Sequence, residues 1–219
     1  MVMEEKTTAH RSRNRTAQLL VALFVSLLLL LGVPSRATER DDPLARLHAT
    51  NACVGCYLAN VYFVGANLLG ANLDKADLTK ADLRKAILIG ATLREAKLDG
   101  ANLQGANLGG VDLRNARLRG ADMNGATVSR ANLMMADLSG VNLKGAKLDF
   151  VNLEGANLAG ADLAGADLYE AKLTFAELQD ADLRGTDLSA ADLTAANLNG
   201  VKTDVRTTCP DFKTGSCEW

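Results

Sequence analysis

A five-residue pattern runs without interruption from Cys56 to Gly200, and no other feature of the chain constrains its fold as strongly. The pattern has the form A-(D/N)-L-x-x and occurs 29 times, with no residue inserted or deleted between units. The third position is Leu in 26 units, and the first position is Ala in 23. The exceptions at the first position are Cys, Val and Thr. We therefore expect both positions to face a narrow interior.

An α-helix does not account for this period. Five residues at about 100° each turn the side chain by roughly 140°, so the leucines would spiral around a helix and form no face. In an extended chain, Ala and Leu point to one side and the residue between them points outward. Gly fills the last position in 15 units, and Asn or Asp precedes Leu in 19. Both preferences are typical of a corner with unusual backbone angles, so each unit is predicted to be one side of a coil.

Runs such as residues 66–70 (ANLLG) and 161–165 (ADLAG) resemble the pentapeptide repeat family. The resemblance covers about two-thirds of the chain. It implies an all-β fold, a right-handed quadrilateral parallel β-helix with four units per coil. Residues 20 apart would then stack at the ~4.8 Å strand spacing, and the repeats would form a rod roughly 35 Å long.

Residues 1–37 are predicted to be a signal peptide. Basic residues are followed by an apolar core from Leu19 to Val33, and small residues precede a cleavage site between Ala37 and Thr38. The core is shorter than the ~20 apolar residues that a spanning helix needs. We expect export to a periplasm, a thylakoid lumen or the extracellular space. The alternative is a membrane anchor formed by residues 17–33, and membrane contact is expected only through this uncleaved segment.

Residues 38–55 are predicted to form an N-terminal cap. Asp42 and Pro43 are typical of a helix start, and Leu44 and Leu47 would cover the open first coil. A helix before the repeats resembles the N-terminal cap of exported bacterial, especially cyanobacterial, members of the family. The repeats then occupy residues 56–200, and residues 201–219 are predicted to be a C-terminal cap or tail.

The four cysteines lie in two pairs at opposite ends of the implied rod. A disulfide requires Cα atoms within about 7 Å, so only the pairs Cys209 with Cys217 and Cys53 with Cys56 are reachable within one chain. We predict a disulfide for the first pair, whereas the second is a disulfide or two thiols. Cys53 and Cys56 also allow a thiol-redox or metal-binding module with His48 as a third zinc ligand. Structural cysteines are more common in exported chains.

Charge and composition argue against several functions. Without residues 1–37 the chain has 19 basic and 24 acidic residues, a net charge of −5. This charge is low for the DNA-mimicking members of the family that occupy gyrase, which remain the alternative function. Nucleic-acid binding is not expected, because aromatic residues make up only 4% of the chain and provide no stacking platform. With two histidines and no nucleophile-base set, the sequence predicts no enzyme, no cofactor and no metal site.

An interior filled with Leu and Ala leaves the surface as the place where a partner binds. Leu69 and Ile89 are 20 residues apart, and Ile87 falls on the same side of the coil, so the three form a candidate exposed apolar patch. The sequence thus predicts an exported, non-catalytic solenoid that acts as a structural or protein-interaction module. It names neither the partner nor the oligomeric state.

Overall fold

The structure is a computed structural model that describes residues 42–215 and residue 217. The chain divides into two compact units, Met1–Ala45 and Arg46–Trp219. The predicted signal peptide, its cleavage site between Ala37 and Thr38, and the alternative anchor at residues 17–33 all lie outside the described residues. In the part of the chain that is described, no helix has the length and hydropathy needed to cross a bilayer.

One α-helix, α1 (Pro43–Thr50), precedes the repeats. The backbone N–H of Leu44 donates to Oδ1 of Asp42 at 2.9 Å, which confirms Asp42 as the N-cap. Leu47 is buried and joins the hydrophobic core, as predicted. Leu44 is 37% exposed, and its place over the first coil stays a prediction.

The repeats wind into coils of four units. The second residue of each unit forms a parallel bridge with the residue 20 positions later, from Ala52 with Asn72 through Asp182 with Lys202. Each side contributes one bridging residue rather than a long strand. The N–H of Leu118 donates to the carbonyl of Asp137 at 2.7 Å, and similar bonds join successive coils along the rod. The predicted parallel coil with four five-residue sides is therefore confirmed.

The first and third positions of the units fill the interior, as their composition predicts. Leu118 has no exposed surface, and Met123 and Val128, which replace leucine, are also fully buried. Each buried aliphatic side chain of this size contributes about 1.5 to 3 kcal/mol relative to an exposed one. The column of stacked leucines is thus the main source of the solenoid's stability.

The corners use left-handed backbone. All 29 last positions between Asn60 and Gly200 have positive φ, from 52° at Glu170 to 72° at Gly200. Glycine adopts this conformation at little steric cost, which explains its frequency at the last position. The Asn or Asp of the second position stabilises the turn, since its side-chain oxygen accepts the N–H two residues later. In one such turn Ser139 N–H donates to Oδ1 of Asp137 at 3.2 Å.

The coils extend slightly beyond residues 56–200 at both ends. Residues 51–55 form the first side, and Cys53 occupies the inward position that leucine takes elsewhere. After Lys202 the register changes, because Thr208 pairs with Asp187, which is 21 residues away. Thr208 also pairs antiparallel with Thr214, so the tail turns back at this point.

Candidate functional site

The solenoid has four sides, which are named here by their residues in the first coil. Side A begins with residues 51–55, side B with 56–60, side C with 61–65 and side D with 66–70, and each recurs every 20 residues. Because the first and third positions fill the interior, outward side chains come from the second, fourth and fifth positions. Within residues 42–215, no group of His, Cys, Asp and Glu has the arrangement to hold a metal ion. Because buried Leu and Ala side chains fill the interior, the outer surface is the part of the coils that a partner can reach.

Side D brings the three residues of the predicted apolar patch together. Leu69 is 55% exposed, and Ile87 and Ile89 are each 39% exposed. The bridge from Asn67 to Ile87 and the 2.9 Å bond from Gly70 N–H to the carbonyl of Ile89 place these residues in adjacent coils. The three side chains thus lie on one side of the solenoid.

The same side carries no charged side chain in the next coil, and in the coil after that its only charged side chain is Arg130 at the corner. Its second and fourth positions continue with Asn107, Gly109, Thr127 and Ser129, so no ionisable side chain occurs at these positions from residue 66 to residue 129. We call this surface the neutral strip. Only the apolar end of this strip was predicted from the sequence, although the 20-residue spacing of its residues contains the whole strip.

The other three sides carry many ion pairs, and several of these pairs join adjacent coils. Arg94 reaches back one coil to Asp74, where its Nε donates to Oδ2 at 2.9 Å and its backbone N–H donates to Oδ1 at 2.9 Å. Arg119 likewise pairs with Asp137, and Arg117 with Asp99 at 2.9 Å. These contacts tie neighbouring coils together on the outside of the leucine column.

Asp74 is the most enclosed of these carboxylates, with 8% of the residue exposed. Its burial would raise the pKa, but hydrogen bonds from the Arg94 side chain and backbone and from Thr92 outweigh burial, and the pKa is lowered. Asp74 is therefore held in its charged form by the next coil.

Cys53 and Cys56 lie inside the first coil, at the corner between sides A and B. Their sulfurs are 2.00 Å apart and their Cα atoms 5.3 Å apart, which is disulfide geometry. The Arg46 guanidinium donates to Sγ of Cys56 and, at 3.1 Å, to the carbonyl of Val54. His48, the third ligand of the alternative zinc site, is exposed on α1. The thiol-redox and metal-binding alternatives remain predictions.

Cys209 and Cys217 hold the tail beside the last coil. Their sulfurs are 2.06 Å apart, and their Cα atoms are 5.5 Å apart. Buried Thr207 anchors the tail, because its hydroxyl donates to the carbonyl of Leu183 at 3.0 Å. A cleft of about 920 Å³ separates this tail from sides A and B of the last coil; its lining includes Leu193, Leu198, Pro210, Lys213 and both cysteines. No sequence signal indicated this cleft.

Comparison with known families identifies the repeats. The sequence profile of pentapeptide repeats matches eight copies, over residues 56–94, 96–133, 136–174 and 171–202. No curated protein sequence matches the chain significantly.

Three solved structures are similar to this chain. A trypsin-treated variant of QnrB1, a plasmid-mediated fluoroquinolone resistance protein, is 24% identical with a TM-score of 0.57, and the match covers 70% of this chain and 82% of QnrB1. HetL from the cyanobacterium Nostoc sp. strain PCC 7120, a protein involved in heterocyst differentiation regulation, is 28% identical with a TM-score of 0.41, covering 78% and 97%. A second Nostoc PCC 7120 protein, alr5209, is 41% identical over 42% of this chain and 77% of its own, with a TM-score of 0.38.

The similarity to QnrB1 supports the fold alone, and with the four-unit coils it confirms the predicted right-handed quadrilateral β-helix. The profile match covers most of the chain and includes nearly all of the described coils. The chain therefore belongs to the pentapeptide repeat family.

Proposed function

We propose that this protein is an exported, non-catalytic solenoid that binds a protein partner through the neutral strip. Pentapeptide repeat proteins are in general structural or interaction proteins. The observation that carries the proposal is the strip itself, an uncharged surface with Leu69, Ile87 and Ile89 exposed at one end. Elsewhere the outward positions hold many charged side chains, and about half of those in residues 56–200 form ion pairs, so the strip differs chemically from its surroundings.

The chemistry of the strip suits a protein rather than a nucleic acid. An interface core is typically depleted in charge and relies on apolar side chains packed against a complementary surface. The parallel coils hold the strip rigid, because every side is hydrogen-bonded to the sides above and below it. A rigid surface loses little conformational freedom when a partner binds.

The test is affinity capture from the exported fraction with three forms of the protein. The parent is compared with Ile87→Asp plus Ile89→Asp, and with the control Met135→Asp plus Phe175→Asp. The control also places two carboxylates at exposed apolar positions, but away from the strip. We expect one or more proteins to be captured by the parent and the control and lost with the Ile87 and Ile89 variant.

Capture of the same proteins by all three forms, or of none by the parent, would contradict a partner site on the neutral strip. Specific capture of DNA gyrase from the cytoplasmic fraction would instead favour the DNA-mimic alternative.

A further inference from the structure

The first coil differs from all later coils in its charge. Residues 51–70 contain no Asp, Glu, Lys, Arg or His, whereas every complete coil that follows has at least four charged residues. The acid-free stretch is longer still, since no carboxylate side chain occurs between Asp42 and Asp74. In those 31 residues the ionisable groups other than Tyr and Cys are Arg46 and His48.

The same coil displays large apolar and aromatic side chains around its outside. Tyr57 on side B is 72% exposed, and Tyr62 on side C is 71% exposed. Val54, Val64 and Leu69 are also exposed, so all four sides of the coil contribute. Scattered exposure of single apolar residues is common, but a complete uncharged ring of them at one end of a rod is not.

Lysines surround the next coil. Lys75, Lys80 and Lys85 occupy three successive corners of residues 71–90, and they are the only lysines among the 29 corner positions. All three have positive φ, between 56° and 60°, in a position that glycine fills in 15 units. The chain thus places lysine at corners where the backbone favours glycine. Lys75 pairs with Glu95 at 3.6 Å, while Lys80 and Lys85 form no ion pair with any described residue.

We propose that the first coil docks on the surface of an anionic lipid membrane. Tyrosine and aliphatic side chains are typical of the membrane interface, where one part of the ring meets acyl chains and the hydroxyl meets headgroups. The lysines lie one coil higher, about 5 Å away, and their attraction to anionic lipids extends over a Debye length of about 8 to 10 Å. No carboxylate of the first coil opposes this attraction.

Two observations favour a membrane over a protein as the occupant. Lysine is depleted at protein interfaces, whereas basic residues next to an apolar surface are typical of binding to anionic lipids. In the anchored alternative, the first coil is also the part of the solenoid nearest in sequence to the apolar segment Leu19–Val33, with only residues 34–50 between them. Membrane contact would then extend beyond the N-terminal segment. The first coil shares Leu69 with the neutral strip, but its Tyr57 and Tyr62 lie on other sides of the solenoid.

The test measures how close two matched positions come to lipid. Tryptophan is introduced by Tyr57→Trp or by Glu177→Trp, in each case with Trp219→Phe to remove the only native tryptophan. Both positions are exposed, outward and in the same column of side B, six coils apart. The full chain is expressed, isolated in the form its host produces and bound to vesicles of phosphatidylcholine with or without phosphatidylglycerol. Some of the lipid carries a nitroxide quencher near the headgroup.

We expect the nitroxide to quench tryptophan at position 57 in vesicles that contain phosphatidylglycerol and to leave tryptophan at position 177 unchanged. Each basic residue near an anionic surface contributes about fivefold, so Lys80→Gln with Lys85→Gln should lower the docked-to-undocked ratio about 25-fold. The control Lys147→Gln with Lys172→Gln removes the same charge far from the first coil and should have little effect.

Several results would overturn the proposal. Equal quenching at both positions would show that the first coil is not held at the membrane. Quenching of the same strength with and without phosphatidylglycerol would exclude recognition of an anionic surface. A blue-shifted emission at position 57 without quenching by lipid would show that a protein, such as a second copy, covers the coil.

Discussion

Single residues test whether the leucines face inward. Leu118 is fully buried and Leu69 is 55% exposed, so the same substitution can be compared in both environments. Leu118→Asp places a charge in an apolar column and should cost about 4 kcal/mol or more, a loss of roughly 10 °C in Tm. Leu69→Asp should change Tm by no more than about 2 °C. Thermal unfolding followed by circular dichroism measures the Tm of both variants. Equal decreases in Tm would contradict the assignment of the leucines to the interior.

The ion pair between Asp74 and Arg94 predicts a dependence of stability on pH. The pKa of Asp74 is lowered in the folded protein, so its contribution is present above the unfolded pKa and is lost as the pH falls through the folded value. Because Arg94 is half exposed, solvent screens the pair, and Asp74→Asn should cost about 1 kcal/mol at neutral pH.

The difference in Tm between the parent and Asp74→Asn should therefore shrink as the pH falls below about 4. Asp162→Asn is the control, because Asp162 and Lys144 are both well exposed. The distance between Lys144 Nζ and Asp162 Oδ2 is 3.7 Å. It should have a smaller effect at neutral pH. If Asp74→Asn lowers Tm by the same amount from pH 7 to pH 3, the lost stability is not due to the charge of Asp74.

At the scale of elements, the C-terminal tail covers part of the last coil. Thr207 and the pair Cys209 and Cys217 position it, and a disulfide that closes so short a loop contributes about 2 to 3 kcal/mol by chain entropy. Replacing both cysteines by Ser should loosen the tail and expose the strand edge of the last coil. We expect light scattering to show more end-to-end association, with little change in unfolding of the central coils.

Peptide mapping of the parent under non-reducing conditions provides the check on this pairing. Free thiols at both positions, or Cys209 joined to Cys53 or Cys56 of the same chain, would contradict it. The second result would also contradict a rod that keeps the two cysteine pairs at opposite ends.

The repeats could be predicted from the sequence because their chemistry is uniform. Ala and Leu fill the interior, and the two turn residues after each Leu allow only one alignment of the five-residue pattern with the coil. Each buried position could therefore be predicted from the sequence. The two ends of the solenoid depart from the five-residue pattern, so their structure was harder to predict from the sequence. Cys53 replaces leucine in a unit that begins with Asn51, and the register changes from 20 to 21 before Thr208. Such changes depend on which residues cap an exposed coil, and a repeat pattern contains no information about that.

The surface was predicted only in part for a different reason. Leu69, Ile87 and Ile89 stood out as apolar residues in polar positions, whereas the rest of the neutral strip is made of Asn, Gly, Thr and Ser, which are ordinary at outward positions. The strip is distinguished by the absence of ionisable side chains at the second and fourth positions of side D over four coils. Only the confirmed 20-residue register shows that these residues share a side.

At the scale of the whole molecule, function depends on the compartment that the solenoid reaches. The two cysteine pairs at disulfide distance suit an oxidising compartment outside the cytoplasm, which supports the proposed export. Both proposed surfaces, the neutral strip and the first coil, would then face partners and membranes of that compartment.

Both proposed functions require export, which is measured by the intact mass of the protein in each cell fraction. We expect the full chain, expressed in a bacterium, to accumulate in the exported fraction with a mass that corresponds to a start at Thr38. A full-length product in the membrane fraction would favour the anchor at residues 17–33. A full-length product in the cytoplasm would contradict export itself.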